Sequence, residues 1–125
     1  REVDRAGDGF LTSFSSASHA VTCAVAIQRA VGSYNSTGAL PAEIKLRMGL
    51  GAGDPLADGD ALFGSTVNLT ARICAFADPG QILTARVVRD LCTGKAFAFK
   101  RYGEVNLKGF AEPIELHEVA WAERP

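Results

Sequence analysis

The chain has 125 residues and a formal net charge of −1, and 47% of its residues are hydrophobic while 22% are charged. This length allows one domain with a modest core. The near-zero charge and the lack of a Lys/Arg cluster argue against nucleic-acid binding. No apolar run approaches the ~20 residues that span a membrane, so we expect no membrane contact from this segment.

The N-terminal residues indicate a fragment. The chain opens on charged residues, has no initiator Met and begins within a strand-like pattern at residues 1–4, so we expect part of the domain to lie upstream. The three cysteines, Cys23, Cys74 and Cys92, are far apart and form no CxxC pair. This pattern favours buried, reduced thiols and a cytoplasmic location.

The first element is predicted to be a β-hairpin. Strand-like residues flank Ala6, Gly7, Asp8 and Gly9, a sequence typical of a tight turn between antiparallel strands. Asp8 lies at the tip between two glycines. Its carboxylate either serves the turn or is held out to bind something, and the turn sequence alone does not distinguish these interpretations.

Helices and strands alternate along the rest of the chain. Apolar residues at helical spacing predict helices over residues 16–31, 65–77 and 85–92. Alternating or β-rich runs predict strands over residues 10–14, 43–49, 81–84, 96–102, 104–107 and 114–119. Polar loops are predicted at 32–41 and 54–60. The expected fold class is α+β, with helices packed on a mixed, mainly antiparallel sheet.

The helix over residues 65–77 carries polar side chains on one face. Ser65, Asn68 and Arg72 stand at i, i+3 and i+7. An ordinary solvated face would carry several Lys and Glu, whereas this one carries one amide and one guanidinium, which can orient a hydroxyl and neutralise a phosphoryl oxygen. Lys108, next to Gly109, would by itself indicate only a surface residue.

Four blocks, in this order, resemble the catalytic domain of class III nucleotide cyclases: GDGF, LFGSTVNLTARI, PGQIL and LKGFAEPIELHEV. The most specific is GSTVNLTAR at residues 64–72, which is similar to the family pattern G-x-x-V-N-x-x-x-R. The resemblance covers nearly the whole chain, residues 1–125. It implies a ferredoxin-like βαββαβ core with extra strands, of which the first strand and helix are expected upstream.

The resemblance also implies roles for individual residues. Asp8 matches one of two aspartates that bind two divalent cations, Mg²⁺ or Mn²⁺. Asn68 matches the residue that positions the ribose, Arg72 the one that stabilises the pentacoordinate phosphorus, and Lys108 the one that holds the terminal phosphates. Such domains pair as head-to-tail homodimers, so each site takes its aspartates from one subunit and its other groups from the partner.

The resemblance leaves the purine open. The positions that contact the base in the family hold Asp4 and Ala61 here, with Asp60 displaced by one residue. Family members that use ATP commonly have Lys and Asp at these two positions, and guanylate cyclases commonly have Glu at the first. Asp4 can accept from guanine, accept from the adenine amino group, or be a solvated strand residue. We favour ATP as the substrate, with GTP as the alternative.

The expected function is conversion of ATP or GTP to a 3′,5′-cyclic nucleotide and pyrophosphate in signal transduction, by two-metal-assisted attack of the ribose 3′-hydroxyl on the α-phosphorus. The alternative is a catalytically silent cyclase-like module for dimerisation or nucleotide sensing, which the unusual Asp4 and Ala61 favour. Because the other metal-binding aspartate is expected upstream, this segment by itself is expected to be inactive.

We expect Asp4→Lys in the full-length protein to shift the preference between ATP and GTP, because an ammonium donor replaces a carboxylate acceptor. The measurement is the ratio of kcat/KM for the two triphosphates. An unchanged ratio would remove Asp4 from the base site.

Overall fold

The computed structural model describes the backbone of residues 3–6, 9–12, 14, 16–39, 41–53 and 55–122, and the side chains of 14, 16–39, 41–53 and 65–122. The helices are α1 Ala17–Ser36, α2 Pro55–Phe76 and α3 Arg86–Leu91. The strands are β1 Val3–Ala6, β2 Gly9–Thr12, β3 Met48–Leu50, β4 Ile82–Ala85, β5 Phe99–Val105 and β6 Ile114–Val119.

The four C-terminal strands form one mixed sheet. Its strand order is β3-β4-β6-β5, with β3 parallel to β4 and the other two pairings antiparallel. Strands β1 and β2 pair antiparallel as a separate two-stranded sheet. The predicted α+β class, with a mixed and mainly antiparallel sheet, is confirmed, as is the opening hairpin.

Helices cover both faces of the four-stranded sheet, because alternate residues of β4 and β6 point to opposite sides. One face forms the α1–α3 cluster, whose buried members are Val21, Ala24, Ile82, Val88, Cys92 and Val119. The other face forms the α2 cluster, whose buried members are Ile73, Ala77, Leu83, Ala85, Leu107 and Leu116. Apolar burial on both faces holds the helical layers to the sheet.

Helix α1 is longer than predicted, and β3 is shorter. Ser16 caps α1 as expected, since its hydroxyl accepts from the backbone N–H of His19 at 3.2 Å. Asn35 lies in the last turn, and its amide group bonds both the N–H of Ile44 (2.9 Å) and the carbonyl of Ile44 (2.7 Å). These two bonds fix the following segment to α1, so the strand predicted over 43–49 begins only at Met48.

Helix α2 begins at Pro55, ten residues before the predicted start at residue 65. The polar loop predicted over 54–60 is therefore wrong for residues 55–60, which are helical. Proline is favoured at a first helical position, because its missing N–H would have no intrahelical partner there and its φ is already fixed near the helical value.

Three glycines in and after β3 let α2 approach the strand closely. A Cβ built at Gly49 would lie 2.8 Å from both the Cα of Cys74 and the carbonyl oxygen of Thr70. A Cβ at Gly51 would clash with Oγ1 of Thr70, and one at Gly53 with Oγ1 of Thr66. The glycine-rich stretch at residues 49–53 is therefore the surface against which α2 packs.

Strand β5 is one strand, although two were predicted on either side of Gly103. Arg101 pairs with His117 and Gly103 pairs with Leu116, so Tyr102 is an extra residue in the ladder. Gly103 has φ +140°, a conformation that glycine adopts readily. The irregularity places Arg101 and Glu104 on the same side of the sheet, where they form an ion pair at 3.9 Å.

The remaining elements lie close to their predicted positions. β4 and α3 each begin one residue later than expected, and β6 matches its predicted bounds. Cys92 is buried as expected, but Cys23 and Cys74 are only half-buried, so the prediction of three buried thiols is wrong for two. Burial raises the pKa of the Cys74 and Cys92 thiols.

Gly49→Ala is expected to destabilise the fold by about 1–3 kcal/mol, because its Cβ would meet the helix backbone, which cannot turn aside. Gly51→Ala meets only Oγ1 of Thr70, which can rotate by giving up its 2.8 Å hydrogen bond to the carbonyl of Thr66. Thr70→Ala should therefore rescue Gly51→Ala but not Gly49→Ala. Urea denaturation of the single and double variants measures this difference.

Gly32→Ala is the matched control. Gly32 lies inside α1, and its Cβ would only touch Trp121 at 3.4 Å. Alanine should be neutral or stabilising there, by up to about 1 kcal/mol. Equal stability losses at Gly32, Gly49 and Gly51 would show that the close approach of α2 is not the cause.

Candidate functional site

The exposed face of α2 carries the polar stripe predicted from the sequence. Ser65, Asn68 and Arg72 are exposed, whereas Ile73 is fully buried and Leu69 packs against the α2 cluster. The glycines at residues 49–53 pack against the opposite face of the helix. The backbone that carries Asn68 and Arg72 is therefore held against β3.

Lys108 lies in a turn directly after β5. Leu107 is buried in the α2 cluster, and the N–H of Phe110 donates to the carbonyl of Leu107 at 3.1 Å. Gly109 has φ +90°, which the turn requires. The turn therefore anchors Leu107 inward and presents Lys108 outward, where it is exposed.

The α2 cluster links these two elements. Leu69 and Ile73 from α2 pack in the same cluster as Leu107 and Phe110 from the turn. Asn68, Arg72 and Lys108 each precede or follow one of these apolar anchors. Within the described part of the chain, none of the three polar side chains makes a hydrogen bond or an ion pair, so their donors face solvent.

The other predicted site residues are Asp4, Asp8, Asp60 and Ala61. Asp4 lies on β1, where its backbone pairs with Leu11. Asp60 and Ala61 lie within α2. The side chains of these three residues, and the whole of Asp8, lie outside the described residues.

No group of three or more His, Cys, Asp or Glu side chains that could hold a metal ion occurs among the described residues. Asp8, the predicted cation ligand, lies outside these residues.

A charged network on the other face of the sheet was missed by the sequence analysis. Nε2 of buried His117 lies 2.7 Å from Oε2 of Glu115, and Glu115 also meets Arg101 at 3.8 Å and Arg86 at 3.9 Å. The signal was present: Glu115 and His117 alternate along a strand, so they share a face. The arginines come from separate elements, which no short-range pattern reveals.

The pKa of Glu115 is lowered from its ordinary value, first by the hydrogen bond with His117 and further by the nearby Arg86 and Arg101. Partial burial opposes this shift. The network therefore favours the ionised carboxylate.

Two aromatic side chains continue the exposed surface of α2 beyond Arg72. Phe76 is 39% exposed and Tyr102 of β5 is 43% exposed. Their rings meet edge to face, with centroids 5.9 Å apart. A polar stripe beside exposed aromatic rings is typical of a surface that contacts another protein.

A family model for the adenylate and guanylate cyclase catalytic domain matches residues 1–120. The chain belongs to this family. The resemblance seen in its four sequence blocks is thus confirmed, and the stripe on α2 and the Lys108 turn lie within the matched cyclase domain.

Two curated proteins are similar to this chain, and one of them carries a cyclase name. The chain is 36% identical over 119 residues to a Rhizobium meliloti protein named "Putative adenylate cyclase 3", covering 93% of this chain and 20% of that protein. It is 40% identical over 95 residues to an uncharacterized Mycobacterium tuberculosis protein, covering 74% of this chain and 25% of that one. The chain thus spans about a fifth to a quarter of these curated relatives.

The fold also matches a solved structure, an adenylate/guanylate cyclase/hydrolase from Silicibacter pomeroyi. The TM-score is 0.75 at 27% identity, and the match covers 94% of this chain and 71% of that chain. Separately, no helix among the described residues is long and apolar enough to cross a membrane.

Acid should remove the stability that Glu115 contributes. A lowered pKa means that this contribution is fully present above the pKa of the unfolded chain, near pH 4.3, and is lost as the pH falls through the folded-state pKa. In Glu115→Gln, the Tm should therefore fall less steeply between about pH 6 and pH 3. Thermal unfolding followed by circular dichroism measures both slopes.

Glu104→Gln is the control, because it removes a carboxylate directly opposite Glu115 on β5 but leaves Glu115 its charge and its contacts with His117 and Arg86. This variant should keep the wild-type slope. Equal slopes for wild type and Glu115→Gln would contradict the assigned cause.

Proposed function

We propose that this domain is the catalytic unit of a nucleotide cyclase, which converts ATP, or GTP as the alternative, to a 3′,5′-cyclic nucleotide and pyrophosphate. The observation that carries the proposal is the exposed stripe of Asn68 and Arg72 on α2, anchored in the same apolar cluster as the Lys108 turn. One guanidinium, one amide and one ammonium, all facing solvent, suit a polyphosphate ligand.

The proposed reaction forms one phosphorus–oxygen bond and breaks another. The ribose 3′-oxygen attacks the α-phosphorus and its proton passes to water, while the bond from the α-phosphorus to the bridging oxygen of the β-phosphate breaks and pyrophosphate leaves. Asn68 holds the ribose so that the hydroxyl is in line with the leaving group. Arg72 donates to the phosphoryl oxygens where negative charge develops, and Lys108 holds the terminal phosphates.

Divalent cations, Mg²⁺ or Mn²⁺, form part of the proposal. Asp8 is the proposed ligand from this chain, because carboxylate oxygens suit such hard cations. Two bound cations would neutralise the triphosphate and favour ionisation of the attacking hydroxyl. The described residues do not supply the remaining ligands.

A head-to-tail homodimer would bring the separate parts of the site together. In the sequence, Asp8 lies between β1 and β2, which form a sheet distinct from the one that carries α2 and the Lys108 turn. The exposed rings of Phe76 and Tyr102 beside the polar stripe support a contact with a second copy at this surface. Asp4, Asp60 and Ala61 are the proposed contacts to the purine.

In the full-length protein with Mg²⁺ or Mn²⁺, Arg72→Ala should lower kcat by about 10³-fold, because transition-state charge loses its guanidinium partner. Asn68→Ala should lower kcat by about 10–100-fold through lost orientation. Asp8→Ala should abolish cyclic nucleotide formation. Product is measured by chromatography with ATP and GTP in parallel.

The control is Lys95→Ala, which removes an exposed cationic side chain just after α3, a helix that packs on the opposite face of the sheet from α2. It should keep wild-type activity. Undiminished product formation by Arg72→Ala would refute its proposed role. A full-length protein that binds the triphosphate but makes no cyclic product from either would favour the alternative function, a silent nucleotide-sensing or dimerisation module.

A further inference from the structure

The turn that carries Lys108 is held at its base by the β5–β6 ladder. Val105 pairs with Ile114 at the mouth of the connection, and Glu104 pairs with Glu115 one step further in. Leu107 anchors the inner side of the turn in the α2 cluster. The position of Lys108 therefore depends on how firmly these first residues of the ladder are fixed.

The ladder itself is irregular nearby, because Tyr102 has no partner on β6. An irregularity of this kind loses regular cross-strand pairing and bends the strand. Pairing resumes at Gly103 and continues to Val105, and side-chain contacts between β5 and β6 add to it there.

Glu115 makes such contacts in two directions. Across the hairpin, its Oε2 lies 3.8 Å from Nε of Arg101 on β5. Along its own strand, the same oxygen lies 2.7 Å from Nε2 of His117, whose side chain is only 5% exposed. Toward the helical layer, its Oε1 lies 3.9 Å from Nη1 of Arg86 on α3. Arg86 is itself paired with Asp90 of the same helix at 3.6 Å.

Its cross-strand neighbour provides the contrast. Glu104 is 59% exposed, and its one ion pair is with Arg101 at 3.9 Å. Glu115 is 22% exposed and has three cationic or histidine partners. Exposed single pairs contribute little, whereas a partly buried hub with several partners fixes geometry more strongly.

We propose that Glu115 is a positioning residue for Lys108: it ties both strands of the β5–β6 hairpin to α3 and so fixes the turn that presents the lysine to the triphosphate. This inference rests on the proposed function, because it assigns Lys108 to phosphate binding. Glu115 itself contacts neither substrate nor cation.

The change Glu115→Gln keeps the shape of the side chain but removes the charge that attracts Arg86 and Arg101. The hairpin base then loses its tie to α3, and the turn samples more positions. Asn68 and Arg72 lie on α2, across the sheet, and are not affected. The loss should therefore appear in binding of the triphosphate rather than in the chemical step.

The experiment uses the full-length protein and measures kcat and KM for ATP and GTP. Lys108→Ala sets the scale, with an expected rise in KM of about tenfold for the loss of one ammonium–phosphate contact. Glu115→Gln should raise KM by about three- to fivefold with kcat within twofold of wild type. Glu104→Gln, the matched control, should leave both constants unchanged.

A second measurement reads the turn directly. Amide hydrogen exchange at residues 106–113, including the Phe110 N–H that bonds Leu107, should accelerate in Glu115→Gln but not in Glu104→Gln. If Glu115→Gln does not fold, Arg86→Gln and Arg101→Gln replace it. Both arginines are more than half exposed, and each removes one of the partners of Glu115.

The outcomes separate the two proposals. An active enzyme in which Glu115→Gln and Glu104→Gln have the same KM and the same exchange overturns the positioning role. A fall in kcat that matches a lowered Tm, with KM unchanged, also overturns it, because a general structural defect then explains the loss. If the wild-type protein forms no cyclic nucleotide, the proposed function fails, and accelerated exchange at residues 106–113 alone then decides whether Glu115 fixes the turn.

Discussion

The close approach of α2 to β3 is the constraint on which the candidate site depends. The helix and strand backbones meet at a distance that leaves no room for a Cβ at Gly49. The buried side of α2 then packs into the cluster around Ile73 and Leu116, and its other side is left to present Asn68 and Arg72. The position of a polar side chain on a helix depends on the position of the helix, and the close contact at glycine fixes the distance between α2 and β3.

Lys108 lies on the same side of the sheet as α2, but its position is fixed in a different way. A short turn with its apolar residue inward fixes the lysine by burial of Leu107 rather than by close backbone contact. The network around Glu115 adds a tie from the opposite face of the sheet. The α2 cluster and the charged network around Glu115 thus both bear on the exposed polar groups of the site.

The sequence predicted the fold class, the hairpin, the order of elements and the exposed stripe on α2, because each follows from local periodicity or turn chemistry. It was wrong where a distant partner decides the outcome. The residues before β3 were expected to form a strand, but the amide of Asn35 takes both backbone groups of Ile44. The packing role of the glycine-rich stretch after Met48 depends on α2, which follows it in the sequence and contacts it only in the folded domain.

The irregularity at Tyr102 separates two structural roles within β5: pairing with β6 and contact with an aromatic ring of α2. Phe99 and Arg101 face the α1–α3 side of the sheet, and Glu104 faces the same side beyond the extra residue. Without Tyr102, residues of β5 would alternate between the two sides with no interruption. Tyr102 is therefore additional to the pairing pattern, and its ring packs against Phe76 at the exposed surface. The side chain at position 102 is therefore free of the alternation that assigns the other residues of β5 to one face or the other, and it contributes to the exposed surface alone.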